Sequence, residues 1–409
     1  MARSTTTSLS MAQTIAAPAI EVSGSVPVPA TRTLAASVLP RLAIADGRAF
    51  FEPASGPRYV PVEKLGEGAM GQVALVEDRD IGRRVARKSL LPGCDAGQVL
   101  RFVDEVRLVG SLDHPGIVPI HDVGLDEQGE FFFVMKYVDG ETLDAVLARL
   151  RARDPKTIAA WDTARRVEVV VAVLRALSYA HARGILHRDV KPANIMIGRF
   201  GEVTLMDWGV ARPIGREVDG APASDPAAEP ESLAHHGSRA SCTTHGSIVG
   251  TPLYMSPEQA RGETETLGAR SDLYAASVLL HEVLFERHPH EGTDDVRVLL
   301  AQILAFRPSL SKLNGPRHVP VEYMHFLVRG LAPKPEDRWS SADEMVDELH
   351  AILDGRCRVQ CPLTFTRRAL GSLTRALDRH PAAVLLALAT TLLVFIGLLV
   401  TTARAALGA

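Results

Sequence analysis

Cysteine is scarce in this chain, and net charge of either sign is nearly absent. Four cysteines stand among 409 residues, at 94, 242, 357 and 361. They are too few and too unevenly placed for a disulfide framework, which fits a reducing compartment for the body of the protein. Cys357 and Cys361 make a single CxxxC with no second pair to complete a metal site. A formal net charge of −3 argues against any general affinity for nucleic acid. An apolar leader is also missing: MARSTTTSLSMAQTIAAPAIEV has no continuous hydrophobic stretch, so nothing at that end points to export. Residues 1–58 have few aromatics and no sustained apolar period, being rich in Ala, Ser, Thr and Pro, and read as a disordered tail that cannot offset the entropy of ordering.

Apolar residues are abundant elsewhere. At 46% hydrophobic, the chain can bury one large core or two lobes. Near the C-terminus, AAVLLALATTLLVFIGLLVTTA (382–403) runs without a charge, and a bilayer crossing needs about 20 such residues in a helix. A buried core helix would show a polar face, and this run has none. Arg356, Arg358, Arg367, Arg368, Arg375 and Arg379 precede it with only Asp378 against them, whereas Arg404 alone follows. The positive-inside rule then puts the large N-terminal part in the cytoplasm, with a basic juxtamembrane segment at 355–381 able to rest on anionic lipid and a short extracytoplasmic tail at 404–409.

Between these ends the order is strands first, then helices. From Tyr59, YVPVEKLGEGAMGQVALVEDRD and RRVARKSLL alternate around glycines, which predicts strand, turn, strand, turn, strand in a small antiparallel sheet. VLRFVDEVRLVGSL has helical spacing at 99, 102, 103, 106 and 109, and HPGIVPIHDVG and EFFFVMKYV supply two more strands. After Gly140 the pattern is helical: Val167, Val170, Val171, Leu174 and Leu177 share one face, Gly184 is a stop, and Ser271 is a candidate N-cap for DLYAASVLLHEVLFE.

Gly66, Gly68 and Gly71 form GxGxxG, in itself a weak signal. In a dinucleotide fold such glycines open a helix; here Val73–Val76 continue as a strand, so the loop reads as a hairpin closing over phosphates with its backbone. Lys88 follows on the next strand, where an ammonium can hold phosphate oxygens, the bland reading being an exposed strand lysine. Glu105 on the helix could fix that lysine or simply pair with Arg101 one turn away.

HRDVKPANIMI (187–197) and LMDWGVAR (205–212) carry the strong signal. With GEGAMGQV, VARK, the helix glutamate, GTPLYMSPE and PEDRW in the same order, the sequence resembles the eukaryotic-type protein kinase superfamily, and within it the bacterial membrane-anchored Ser/Thr kinases, over about 59–353. The resemblance implies an α+β bilobal kinase fold at 59–354, with a small antiparallel-sheet lobe to 139 and a mainly helical lobe from 140. It implies ATP and Mg²⁺, or Mn²⁺ in its place, with protein substrates as partners. Asp189 would orient the substrate hydroxyl and accept its proton, Lys191 would steady the transferring phosphate, and Asn194 and Asp207 would hold the metal through oxygen. Leu65, Gly66, Glu67, Gly68, Ala69, Met70 and Gly71 would cover the nucleotide, Val73, Ala86 and Met196 would wall the adenine, Met135 would guard the pocket behind it, and Lys136 to Val138 would be the hinge, with Lys88 and Glu105 completing the ATP site. Thr251, Glu258 with Arg338 as an ion pair, Asp272 bracing the catalytic loop, and His187 stacked with Trp208 look architectural.

Two departures stand out. Trp208 replaces the family's usual Phe, and Arg87 replaces an apolar residue, where alternation puts it on the opposite sheet face from Lys88, in solvent. Two other readings, a pseudokinase scaffold and a small-molecule kinase, compete with an active protein kinase; the complete set of polar site residues speaks against the first, and GTPLYMSPE against the second.

The activation loop would span 207–258 and carry a Pro-, Ala- and acid-rich insertion at about 213–247. At its far end SRASCTTHGSIVG (238–250) offers Thr243, Thr244 and Ser247 as candidate autophosphorylation sites, whose phosphate could pair with Arg188 and Arg212 and order the loop. Crowding two copies on one membrane would favour phosphorylation in trans within a homodimer. A metal site from His235, His236, Cys242 and His245 lacks a rigid frame.

Overall fold

A computed structural model of the chain describes residues 41–45, 48–52, 57–68, 71–126, 128–208, 211–213, 241–242, 248–249, 252–263, 267–290, 293, 295–311, 313, 319–356, 366 and 381–406. Strands β1 (Arg41–Ala45) and β2 (Arg48–Glu52) pair antiparallel, Leu42 opposite Phe51 and Ala45 opposite Arg48. These residues fall in the stretch read as a disordered tail. Composition hid a local signal there: Asp46-Gly47, a two-residue turn dipeptide, sits between two alternating runs.

The first lobe follows: β3 (Tyr59–Glu67), β4 (Gly71–Asp78), β5 (Arg83–Leu90), helix α1 (Ala96–Gly110), β6 (Ile120–Leu125) and β7 (Phe131–Lys136). The strands form one antiparallel sheet in the order β3-β4-β5-β7-β6. α1 starts on a capping box, Asp95 accepting from the Gln98 backbone while the Gln98 side chain accepts from that of Asp95. It buries Phe102 against Leu90 and Phe133. The other face of the sheet curls on itself. Tyr59 on β3 meets Phe132 on β7 at 5.9 Å between ring centroids, although two strands lie between, and its hydroxyl donates to Asp122 at 2.7 Å. Val76, Val85 and Val134 are enclosed beneath. Arg87 shares that face but is half-buried, its guanidinium 5.2 Å from the Phe132 ring centre, because the curl brings an aromatic where a flat sheet would offer water.

The second lobe opens with β8 (Gly140–Thr142), α2 (Leu143–Arg151), α3 (Pro155–Ala160) and α4 (Thr163–His181). The five apolar positions predicted for one face of α4 are each 0% exposed. The helix ends at His181, and Gly184 takes φ +72°, a left-handed conformation that costs glycine little. Next come β9 (Ile185–Leu186), a 3₁₀ turn at Pro192–Asn194, β10 (Ile195–Gly198), β11 (Val203–Leu205) and β12 (Arg212–Pro213). Two further short strands, β13 (Ser241–Cys242) and β14 (Ile248–Val249), pair antiparallel and bracket 243–247. Helices α5 (Pro257–Ala260), α6 (Ala269–Phe285), α7 (Val296–Ala305), α8 (Val321–Gly330) and α9 (Ala342–Leu353) complete the lobe. α6 is buried at every position from Ser271 to Phe285. Its N-cap is Gly268, not Ser271: the serine lies inside the helix and donates to Glu258 at 2.8 Å, a buried partner one turn too deep for a cap.

Gly140 touches β10 so closely that a Cβ there would stand 2.0 Å from the Ile197 carbonyl oxygen. Beyond the lobes, α10 (Pro381–Ala406) is a single helix of 26 residues that contains the apolar run. Many of its side chains lie outside the described residues, and among the described residues no helix is long and apolar enough to cross a membrane.

Candidate active site

The cleft between the lobes gathers polar side chains from five elements. On β5, Lys88 lies opposite Val73 of β4 and Phe133 of β7, and its Nζ reaches Glu105 of α1 at 2.7 and 2.9 Å. The pairing with Arg101 is not made; Glu105 is buried and turned toward the sheet. Nζ also stands 3.9 Å from Asp207. Burial works against the Lys88 ammonium, but the carboxylates of Glu105 and Asp207 outweigh it and hold its pKa above the ordinary lysine value. The lysine is therefore a fixed cation at the mouth of the cleft.

Above it lies the hairpin of β3 and β4. The Gly68 N–H donates to the Gly71 carbonyl at 2.8 Å, and a Cβ on Gly71 would stand 2.5 Å from the Ser89 carbonyl oxygen, so only glycine lets β4 lie this close to β5. Leu65, Gly66, Glu67 and Gly68 extend from β3 into this turn; Ala69 and Met70 lie outside the described residues. Ala86 pairs with Met135 across the sheet, Lys136 ends β7 exposed, Val138 is buried, and Met196 on β10 faces Thr142. These apolar side chains flank the crossing between the lobes, Ala86 and Met135 in the sheet lobe and Met196 in the helical one.

The chain from β9 to β11 brings the rest. Lys191 Nζ reaches Asp189 Oδ2 at 2.6 Å, and Asn194 Nδ2 donates to the same carboxylate oxygen at 3.0 Å and to the Asp189 carbonyl at 2.9 Å. The backbone is held from below. Asp272 on α6 accepts from the N–H groups of His187 and Arg188 at 2.9 and 2.7 Å and bonds His181 Nε2 at 2.8 Å. Burial opposes the Asp272 carboxylate, but His181 and the backbone donors prevail and keep its pKa below the usual range. His187 uses both ring nitrogens: Nδ1 accepts from the Asp189 N–H at 3.2 Å, and Nε2 donates to the Met206 carbonyl at 3.1 Å. Burial lowers its pKa, which keeps the ring neutral in that tautomer. Trp208, 1% exposed, packs edge-on against it with centroids 4.5 Å apart, and its indole N–H points at the Leu205 carbonyl at 3.4 Å. Asp207 and Arg188 both take left-handed backbone, φ +60° and +70°, which only a fixed surrounding maintains.

The wall beyond the catalytic loop is built by α5. Arg338 forks onto both oxygens of Glu258 at 2.7 and 2.8 Å, with side chains 0% and 1% exposed, and the Gln259 amide donates to the Arg188 carbonyl at 3.2 Å. Tyr254 donates to Glu282, which Arg151 also holds. Sequence reasoning did not find His181, Gln259, Tyr254, Glu282 or Arg151; no spacing rule marks them, because each acts across a long chain separation. Arg212 lies on β12 opposite Leu186, close in sequence to Arg188, and its side chain is outside the described residues. Thr243, Thr244, Ser247 and Thr251 are likewise outside them, as are His235, His236 and His245 and the Cys242 side chain.

A hard cation suits the mouth of this cleft. Asp207 presents a half-exposed carboxylate, and with Nδ2 of Asn194 committed to Asp189, Oδ1 remains as a neutral oxygen donor. Among the described residues no cluster of three or more His, Cys, Asp or Glu forms a metal cage, and a magnesium ion that keeps waters and substrate phosphates needs none.

A lysine anchored by a helix carboxylate, a glycine hairpin overhead and an aspartate held beside a lysine define a phosphoryl-transfer cleft. Comparison with known proteins agrees. Residues 59–350 match the protein kinase domain, and the chain belongs to the protein kinase family. It is 35% identical over 306 residues to a protein of Streptomyces coelicolor named a probable serine/threonine-protein kinase, covering 74% of this chain and 41% of that one. It is 34% identical to serine/threonine-protein kinase PknB of Mycolicibacterium smegmatis (73% and 43% covered) and 30% identical to PknD of Protochlamydia amoebophila (76% and 31%). The chain thus spans less than half the length of these relatives.

Proposed function

We propose that this chain is an ATP-dependent protein kinase acting on serine and threonine hydroxyls of protein substrates. The observation that carries this reading is the convergence of Lys191 and Asn194 on the Asp189 carboxylate, across the cleft from the Lys88–Glu105 pair. Asp189, oriented by both partners, accepts the proton of the incoming hydroxyl. Lys191 and Lys88 offset the charge of the transferring phosphoryl group. Asn194 and Asp207 would hold Mg²⁺, which would supply positive charge to offset that of the phosphates. Names borne by the relatives support serine and threonine as acceptors.

Two finer readings belong to the same proposal. The helix Pro381–Ala406 tethers the kinase to a membrane: Leu392, Leu393, Val394, Phe395 and Ile396 stand uncovered on it, and the arginines before it favour the cytoplasmic side for the kinase domain. Thr243, Thr244 and Ser247, between β13 and β14, are phosphorylated by a second copy. Incubating the purified chain with labelled ATP, Mg²⁺ and a generic protein substrate tests the activity. Transfer by the wild type and its loss in Asp189→Ala support the reading; no transfer, or equal transfer by the variant, overturns it. Alanine at all three loop positions should abolish autophosphorylation there; unchanged labelling of the loop would remove them as sites.

A further inference from the structure

Behind Tyr254 lies a cluster that phosphoryl transfer does not use. His281, near the end of α6, and His288 and His290, in the turn after it, are 2%, 6% and 4% exposed. His288 stands edge-on to the Tyr254 ring at 5.0 Å and 5.7 Å from His290, which in turn meets Phe306, just past α7, at 4.9 Å. His281 stacks on Phe285 at 4.5 Å. His288 Nδ1 accepts from the His290 N–H at 3.1 Å, which requires an unprotonated nitrogen there, and His281 Nδ1 donates to the Arg287 carbonyl at 3.1 Å.

Among the described residues the charged groups around the cluster are already engaged. From α6, Glu282 is committed to Tyr254 and Arg151, Glu286 is held by Arg153 and Arg166, and the Tyr274 hydroxyl faces His290 Nε2 at 3.5 Å. From α2, Arg151 adds positive charge that His288 feels and Asp144 lies within reach of Tyr254 and Glu282; Arg287 in the turn acts on His281. Burial pushes His290 down to about 4; burial, with Arg287 and His290 adding to it, pushes His281 to about 4; and burial, the other two rings and Arg151 push His288 to about 3.

The geometry points to an acid-released latch: His288, with the His290 ring packed behind it and His281 beside the same turn, holds the Tyr254 ring to the end of α6, and protonation of this cluster frees the Tyr254 segment and with it the protein-substrate side of the cleft, while the nucleotide side stays assembled. The sign follows from linkage. A released imidazole takes a proton near its ordinary value of about 6.5, the clamped one only near 4 or below, so the open form binds more protons and the clamp is complete above that ordinary value. Between about 6.5 and 4 each unit of falling pH favours release roughly tenfold per histidine, on the order of a thousandfold for three. Falling pH thus favours release already above the pH at which any of the rings titrates in place.

The substrate consequence rests on the kinase reading; the release itself does not. Hydrogen exchange of the full chain between pH 7.5 and 5, corrected for intrinsic rates, should show protection of 252–256 and 286–306 falling steeply below about 6.5 while Thr163–His181 keeps its protection. His290→Phe removes one titrating ring and should cut that pH dependence by about tenfold per unit; His288→Asn, which keeps an acceptor oxygen, should do the same. Peptide KM should rise over this interval in the wild type far more than in either variant, with ATP KM unmoved. Equal slopes in wild type and both variants, or loss of protection in Thr163–His181 at the same pH, would overturn the latch. Should the chain transfer no phosphate, the exchange measurement still decides between these outcomes.

Discussion

Asp272 accepts the backbone N–H of Arg188 at 2.7 Å, and Arg188 sits at φ +70°. A buried carboxylate thus holds a strained residue one step before Asp189. Asp272→Ala would leave the N–H groups of His187 and Arg188 and the ring of His181 without their acceptor. Stability should fall by about 3 kcal/mol, and kcat by a hundredfold or more, with ATP KM little changed. Because the folded pKa of Asp272 is lowered, its contribution is full at neutral pH and is lost only as the pH falls below about 4, so the melting difference between wild type and variant should narrow only there.

Lys88 and Glu105 form a partly buried pair. Lys88→Met strands the carboxylate, whereas Glu105→Gln leaves a neutral partner for the ammonium. Both should lower kcat/KM, Lys88→Met by about a thousandfold or more, and a double-mutant cycle should return a coupling of about 1–3 kcal/mol in activation free energy. A coupling near zero would mean that the pair does not position the lysine.

Arg338→Lys keeps the charge but loses the fork onto Glu258 and the bonds to the Ala332, Pro333 and Arg270 carbonyls. Urea unfolding should show a loss of about 2–4 kcal/mol, the cost of partly unpairing a buried carboxylate.

Trp208→Phe removes the indole donor aimed at the Leu205 carbonyl and some ring volume. A loss of about 1–2 kcal/mol in unfolding free energy with kcat within a few-fold is expected. An activity loss near a hundredfold would assign the indole a larger part in holding Asp207.

Much of the site was legible because its chemistry sits in contiguous motifs: Asp189, Lys191 and Asn194 lie within one short run, and Asp207 follows a β-hairpin later. The period of α4 was equally plain, its predicted face being buried throughout, whereas β4 and β5 bury both faces, Leu75 beside Val76 and Val85 beside Ala86. What the sequence hid depends on chain closure in space. Ser271 has the chemistry of a cap, and only the packing of α5 against α6 shows that its hydroxyl serves Glu258 instead. Arg87 alternates away from Lys88 as expected, but the rolling of the sheet that places Phe132 beneath it is a property of five strands together. Residues 41–52 were lost to averaging, since a composition read over the whole tail outweighed one turn dipeptide.

Gly140 has a mechanical consequence. With no room for even a methyl group between β8 and β10, the crossing is riveted to the helical lobe at that point, and any rocking of the sheet lobe must be taken up in the few residues before it, 137–139. A side chain at position 140 would therefore act as a wedge between β8 and β10, displacing the link between the lobes without touching Lys88, Asp189, Lys191, Asn194 or Asp207.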